Sequence, residues 1–244
     1  MLLGHPCTDG LDETACLCWR QKVKETEVND PIAEYWKIRL DELKLQLEKN
    51  NFEVFVTATA AEAGALVMNK LLPASGAKSV AYGGSMTMKA AGLHDSLATL
   101  ADIEVLRSDA PNLSADEKIE LRRKGLLADF YISGTNAVTE DGHLVNLDMI
   151  GNRVAAITFG PKQVVILVGR NKIVPDLNAA MYRIKEVAAP LNTMRLDMKT
   201  PCVKTSHCED CKSPQRICNT WTITEKSFPK GRTKVVLINE DLGF

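Results

Sequence analysis

Four cysteines, Cys202, Cys208, Cys211 and Cys218, fall within seventeen residues of a chain whose residues 19–201 contain none. Thiolates that close in sequence can share one thiophilic ion or one iron–sulfur cluster. A zinc ribbon ordinarily carries two Cys-x2-Cys knuckles on separate turns, whereas here one knuckle is flanked by single cysteines. A loop wrapped around a cluster can supply ligands in that pattern. A 4Fe–4S cluster is therefore favoured, with structural zinc and unmetallated thiols as the alternatives. His207 and Asp210 are spare ligands in the same loop, Pro201 and Pro214 stiffen it, and Arg216 could offset the charge of an anionic cluster. A bound metal could also do no more than clamp the C-terminal tail to the core.

Two further constellations carry potential chemistry. Gly83-Gly84-Ser85 follows directly on an expected strand at 78–82. Two glycines let a strand turn tightly into a helix, and the first amides of that helix would then face a phosphate or carboxylate. The alternative is a plain turn with Ser85 as helix cap. Residues 133–148 are dense in polar groups, and Glu140 sits among turn residues in Glu140-Asp141-Gly142. Such a carboxylate could act as general base or nucleophile. Asn136 and Asn146 could orient a substrate, Asn152 and Arg153 follow closely, and Lys172 adds a cation after the run at 164–168. A hairpin with solvated charges is the competing reading. His5, His94, His143 and His207 are scattered, so no Ser-His-Asp order can be argued.

The elements that must position these groups are legible from periodicity. Asp30-Pro31 opens a helix, and Ile32, Tyr35, Trp36, Leu40, Leu43 and Leu47 recur at helical spacing up to Asn50-Asn51. The capping boxes Thr59-x-x-Glu62 and Ser114-x-x-Glu117 open two more helices, and Pro175 opens one running to residue 188. Strands are expected at 52–56, 78–82, 103–106, 129–133, 164–168 and 234–238. Strands alternating with helices imply an α/β domain with a mostly parallel sheet and helices on both faces. Residues 135–151 interrupt the alternation as a small β excursion. The expected division is an N-terminal arm at 1–29 and an α/β domain at 30–244 that includes the cysteine loop at 200–219. Cys7, Cys16 and Cys18 lie in the arm, at spacings that fit no common metal signature.

Bulk properties narrow the classes. With 45% apolar and 25% charged residues, the 244-residue chain can build a substantial core. A net charge of −1 and 5% aromatic residues give no field or stacking stripe for nucleic acid. No apolar run is long enough for a membrane span, and residues 1–10 lack the features of a signal peptide. A cytoplasmic location is expected, and clustered cysteines there read as ligands or redox groups rather than disulfides. The odd count of seven agrees. The apolar stripe of the helix at 30–50 suits core packing or a homodimer interface.

Three runs, ISGTNAVTEDGHLVNLD at 132–148, GNRVAAITFGP at 151–161 and VGRNKIVPD at 168–176, together resemble the lactate-utilisation (LUD) domain family. The Gly83-Gly84-Ser85 junction and the cysteine loop resemble a stand-alone branch of it. The resemblance implies a fold similar to ribose-phosphate isomerases, glucosamine-phosphate deaminases and CoA transferases, whose anionic substrates bind at the sheet's C-terminal edge. Glu140-Asp141-Gly142 is similar to the Glu-x-Gly nucleophile motif of CoA transferases. Family members in lactate oxidation work beside iron–sulfur partner proteins, which implies a redox partner. The expected function is support of organic-acid, lactate-like utilisation through a small anionic ligand held by Gly83, Gly84, Ser85, Asn136, Asn146, Asn152 and Lys172. The alternatives are an acyl- or CoA-transferase-like enzyme using Glu140, or a non-catalytic regulatory subunit.

Overall fold

The computed structural model describes residues 30–244, so Cys7, Cys16 and Cys18 lie outside the described residues. Trp36–Phe244 forms one compact unit. In chain order the elements begin with α1 (Pro31–Lys49), β1 (Glu53–Thr57), α2 (Ala60–Leu66, continuing through Val67–Leu71 into Leu72–Ser75) and β2 (Ser79–Tyr82). Next come α3 (Met86–Ala90), α4 (Leu93–Ala98), β3 (Glu104–Leu106), α5 (Ala115–Gly125) and β4 (Phe130–Gly134). The hairpin strands β5 (Ala137–Thr139) and β6 (Leu144–Asp148) precede α6 (Asn152–Thr158), β7 (Gln163–Gly169) and β8 (Ile173–Val174). The chain ends with α7 (Leu177–Arg183, continuing through Ile184–Ala188 into Ala189–Arg195), α8 (Cys202–Thr205), β9 (Thr220–Thr224) and β10 (Thr233–Ile238).

Six strands form the main sheet in the order β1-β10-β7-β4-β2-β3, every neighbouring pair parallel. Helices cover both of its faces, which explains the unbroken apolar run of β7. Val164, Ile166 and Val168 pack on one face with Leu40, Leu43 and Leu47 of α1. Val165 and Leu167 pack on the other with Val67, Met88, Leu93 and Leu97. Alternate side chains point to opposite faces, and here both faces are dry.

The β excursion is larger than its sequence suggests. β5 and β6 form the expected hairpin, but β8 joins one side and β9 the other, giving a second sheet in the order β8-β5-β6-β9. β8 is only two residues long, and β9, although Thr-Trp-Thr-Ile-Thr alternates as a strand does, lies beyond the cysteine loop, far in sequence from the hairpin it joins. The short helices α3, α4, α6 and α8 likewise carry too little periodicity to read. Among the described residues no helix is long and apolar enough to cross a membrane.

α7 extends beyond the expected end at 188, despite Pro190. Interior proline normally breaks a helix because it lacks an N–H and its ring strikes the carbonyl four residues back. Here a π-helical turn at Ile184–Ala188 precedes the proline, and the Ala189 amide reaches back five residues to the Ile184 carbonyl. α2 solves Pro73 in the same way, with a π turn at Val67–Leu71 and the Leu72 amide bonded to the Val67 carbonyl.

Gly64 of α2 marks the tightest helix contact, since a Cβ there would sit 2.1 Å from the Ala91 carbonyl oxygen. Gly64→Ala gains about 1 kcal/mol of helix propensity but forces backbone apart, at a typical overpacking cost of about 1–3 kcal/mol or more. The clash with main chain decides the sign. Urea denaturation should show the variant destabilised, and equal or greater stability would refute this packing.

Candidate functional site

A cavity of about 540 Å³ opens at the C-terminal ends of β2, β4 and β7. The second sheet faces it through Leu147 and Asp148, and α7 contributes Ala188, Asn192 and Arg195. Its lining carries five basic side chains, Lys118, Arg122, Arg153, Lys172 and Arg195, against the carboxylates of Asp109 and Asp148. That excess of three positive charges favours an anion in a partly enclosed space.

Lys172 is the least hydrated of these cations. It follows β7 on a single 3-10 turn, Arg170–Lys172, and is 4% exposed. Its Nζ donates to Thr87 Oγ1 at 2.9 Å, and among the described residues no carboxylate pairs with it. Burial lowers its pKa to about 7, and the nearby Arg183 and Arg153 push in the same direction. An ammonium this deep either sheds its proton or gains an anionic partner.

Arg153 plays a different part. Nη1 donates to the Asn146 side-chain oxygen and to the Gly134 carbonyl, and Nη2 to Asn136 Oδ1 at 2.9 Å and the Leu147 carbonyl at 3.0 Å. Nε lies 3.5 Å from the Asp148 carboxylate. Every face of the guanidinium is engaged by protein, so Arg153 braces the site rather than binding a ligand. Asn136 and Asn146, expected as substrate contacts, spend their oxygens on this brace. Asn136 still lines the cavity, while Asn146 is fully buried with its Nδ2 unpartnered. Asn152, at the start of α6, lines the cavity directly.

The glycine junction divides its labour. A Cβ on Gly83 would come within 3.0 Å of Tyr131 Oη, Ser133 Oγ and the Arg153 stem, so Gly83 is needed for packing. Gly84 has open space beside it and lines the cavity. Ser85 lines it too, but its Oγ accepts the Met88 amide at 3.2 Å as the cap of α3. Capping and a place at the cavity therefore coincide at Ser85.

Glu140 lies elsewhere. It is exposed, its carboxylate is paired with Arg39 of α1, and it does not line the cavity. Asn50 Nδ2 donates to the Asp141 carbonyl at 2.9 Å, and Gly142 adopts φ 82° against the end of α1. The Glu140-Asp141-Gly142 turn is thus seated on α1.

One cluster at the cavity escapes sequence reading. Tyr82 Oη donates to Asp109 Oδ1, His94 Nδ1 stands 3.6 Å from Asp109 Oδ2, and the Tyr82 and His94 rings lie 5.0 Å apart. His94 Nε2 is buried without a partner. Burial, reinforced by Asp109, pushes Tyr82 up to about 12, so it is a donor and not a phenolate. The three residues come from separate segments, and no local spacing announces them.

The four cysteines are free thiols that line one second cavity of about 20 Å³, together with Thr193, Thr200, Lys185 and Arg216. Cys202 Sγ lies 3.3 Å from the Thr193 hydroxyl and 3.2 Å from that of Thr200, and the Asp210 amide donates to Cys208 Sγ at 3.4 Å. Arg216 ties the loop by donating to the Cys211 and Cys218 carbonyls at 2.6 and 2.9 Å. Among the described residues no three His, Cys, Asp or Glu side chains stand close enough to share a single ion. Asp210 is committed to Lys185 and Arg216, and His207 is exposed. Burial pushes the Cys218 thiol up, against the pull of Lys185 and Arg216, so it is no activated nucleophile. Cys218 also lines the large cavity.

Fold and site together define an α/β protein whose parallel sheet opens, at its C-terminal edge, onto a cation-rich cavity walled by a second small sheet. The LUD domain family model matches residues 40–238, and the chain belongs to that family. Among solved structures, a DUF162 family protein from Deinococcus radiodurans is 15% identical, with a TM-score of 0.46 over 83% of this chain and 97% of that one. eIF2B delta from Chaetomium thermophilum gives 19% identity and a TM-score of 0.28 over 69% of this chain and 65% of that one. eIF2B beta from the same organism gives 17% and 0.26 over 56% and 43%. No curated protein matches the chain in sequence.

Arg153→Met would take the guanidinium donors from the Asn146 and Leu147 oxygens, leave Asn136 Oδ1 with the Leu147 amide alone, and leave Asp148 without its cation. A loss of about 3 kcal/mol or more is expected in chemical denaturation. A change below about 0.5 kcal/mol, the range of ordinary surface substitutions, would rule out the bracing role.

Proposed function

We propose that this LUD-domain protein binds a small organic anion of the lactate class in the large cavity and serves organic-acid utilisation. The observation that carries the reading is Lys172, a buried cation at the cavity with no carboxylate partner among the described residues. The ligand carboxylate would take the place of the missing counter-ion, and the surrounding Arg122, Arg195 and Lys118 would raise its local concentration. The Asn136 and Asn152 side chains and the open backbone at Gly84 would fix its orientation. Family membership supports the link to lactate-like acids. A cavity of about 540 Å³ exceeds what a three-carbon acid fills, leaving room for a second reactant or ordered water.

A thermal-shift series with L-lactate, pyruvate and phosphate tests this, because a ligand bound only to the folded state raises the melting temperature. At least one carboxylate should raise it in the wild-type chain and fail to do so in Lys172→Gln, while Glu140→Gln responds like wild type. An equal shift in Lys172→Gln, or none with any carboxylate, would defeat the assignment. An acyl adduct trapped on Glu140 would replace it with a transferase.

The lowered pKa of Lys172 fixes the sign of the pH dependence. Below pH 7 the ammonium is already charged and ready for the anion. Above pH 7 the free protein has shed that proton and must regain it on binding. L-lactate affinity should therefore weaken by up to about tenfold per pH unit as pH rises from 7 to 9. Calorimetry at several pH values checks this, and a flat profile would exclude Lys172 as the charged partner.

A further inference from the structure

We propose that Cys202, Cys208, Cys211 and Cys218 ligate one metal–thiolate centre, and that this centre forms part of the wall of the anion cavity. All four thiols line a single small cavity although they come from α8, from the loop after it and from the residue before Asn219. Hydrogen-bond donors are already aimed at sulfur. The Asp210 amide reaches Cys208 Sγ, and the Thr200 hydroxyl lies 3.2 Å from Cys202 Sγ, where it can donate, whereas the Thr193 hydroxyl gives its proton to the Pro190 carbonyl. A neutral thiol is a weak acceptor and gains little from such donors, whereas a ligating thiolate is stabilised and oriented by them. Lys185 and Arg216 line the same cavity and supply the positive charge that several thiolates require. Ser206 and Asp210 hold left-handed φ values of 60° and 43°, so the loop adopts a backbone that residues other than glycine rarely choose.

Two sources share this chemistry, a single thiophilic ion such as zinc and an iron–sulfur cluster. The cavity of about 20 Å³ has room for one ion, yet no three donors stand within reach of a single ion. Occupation therefore resets the loop in either case, drawing the sulfurs inward for an ion or parting them for a cluster. The single Cys-x2-Cys knuckle favours the cluster. Ile217 and Cys218 line both cavities, which places the fourth ligand at the anion site itself. This second part rests on the anion-binding reading, while metal binding does not.

The test uses the full chain purified anaerobically, with metal and acid-labile sulfide analysis and a visible spectrum. Iron and sulfide in equal amounts, with a broad absorption bleached by dithionite, would establish the cluster, and one zinc per chain would establish the single ion. A chain without stoichiometric metal overturns the proposal whatever the variants do. Cys208→Ser combined with Cys211→Ser should lose nearly all the metal, and full retention also overturns it. For the shared wall, L-lactate is titrated into the loaded protein, or into a cobalt-substituted form if the metal is zinc. A shift of the metal-thiolate absorption supports it. An unchanged spectrum alongside a lactate thermal shift refutes the wall and leaves the anion site standing. Lys172→Gln should keep its metal and lose the lactate response, which separates failure of one reading from failure of the other.

Discussion

The cavity depends on one buried guanidinium. Arg153 stands where the end of β4 meets β6, and it bonds to acceptors on both sides of that junction. The two sheets share no strand; short connections join β4 to β5 and β7 to β8, and side chains such as Arg153, rather than ladder hydrogen bonds, bridge them at this edge. An arginine suits the role because its rigid planar fork fixes the directions of five donors, whereas a lysine ammonium could swivel. Its charge is spent on Asp148 and on amide oxygens, which is why it can be buried beside a second cation.

That second cation, Lys172, shows the opposite arrangement. Its neighbours Arg153 and Arg183 repel the ammonium, and among the described residues the Thr87 hydroxyl alone accepts from it. The fold thus places one cation where its needs are met and another where they are not, a few side chains apart. Burial without compensation costs stability, and such cost persists at sites that do something. The thiol loop shows a smaller excess of the same kind, with the Asp210 amide spent on the Cys208 sulfur, a poor acceptor as a free thiol.

The main sheet was legible because its inner strands β4, β7 and β10 are buried on both faces and rich in apolar residues, between capped helices. The helix caps Asp30, Thr59 and Ser114 all act as their spacing implies. The second sheet was only half legible, since β8 is two residues long and the pairing of β8 with β5 and of β9 with β6 joins segments distant in sequence. At the site, Gly84, Ser85, Asn136, Asn152 and Lys172 could be picked out as polar or flexible residues after strands. Tyr82, His94 and Asp109 could not, because only tertiary packing brings them together. Glu140 illustrates the converse. A carboxylate in a turn looks the same in sequence whether it faces a cleft or pairs with Arg39.

The π turn in α7 has a bearing on how the family can vary in length. A helix turns about 100° per residue, so one extra residue in a wide turn rotates everything downstream by that angle. Ile184 and Ala188 face the cavity within the wide turn, and Asn192 and Arg195 face it beyond. Their common aim is a matter of helical phase. A relative one residue shorter at this point would swing the equivalents of Asn192 and Arg195 off the cavity wall and return Pro190 to an α-helical interior. Alignments that place a gap within 184–188 would therefore mark a change of cavity lining, even where every flanking residue is identical.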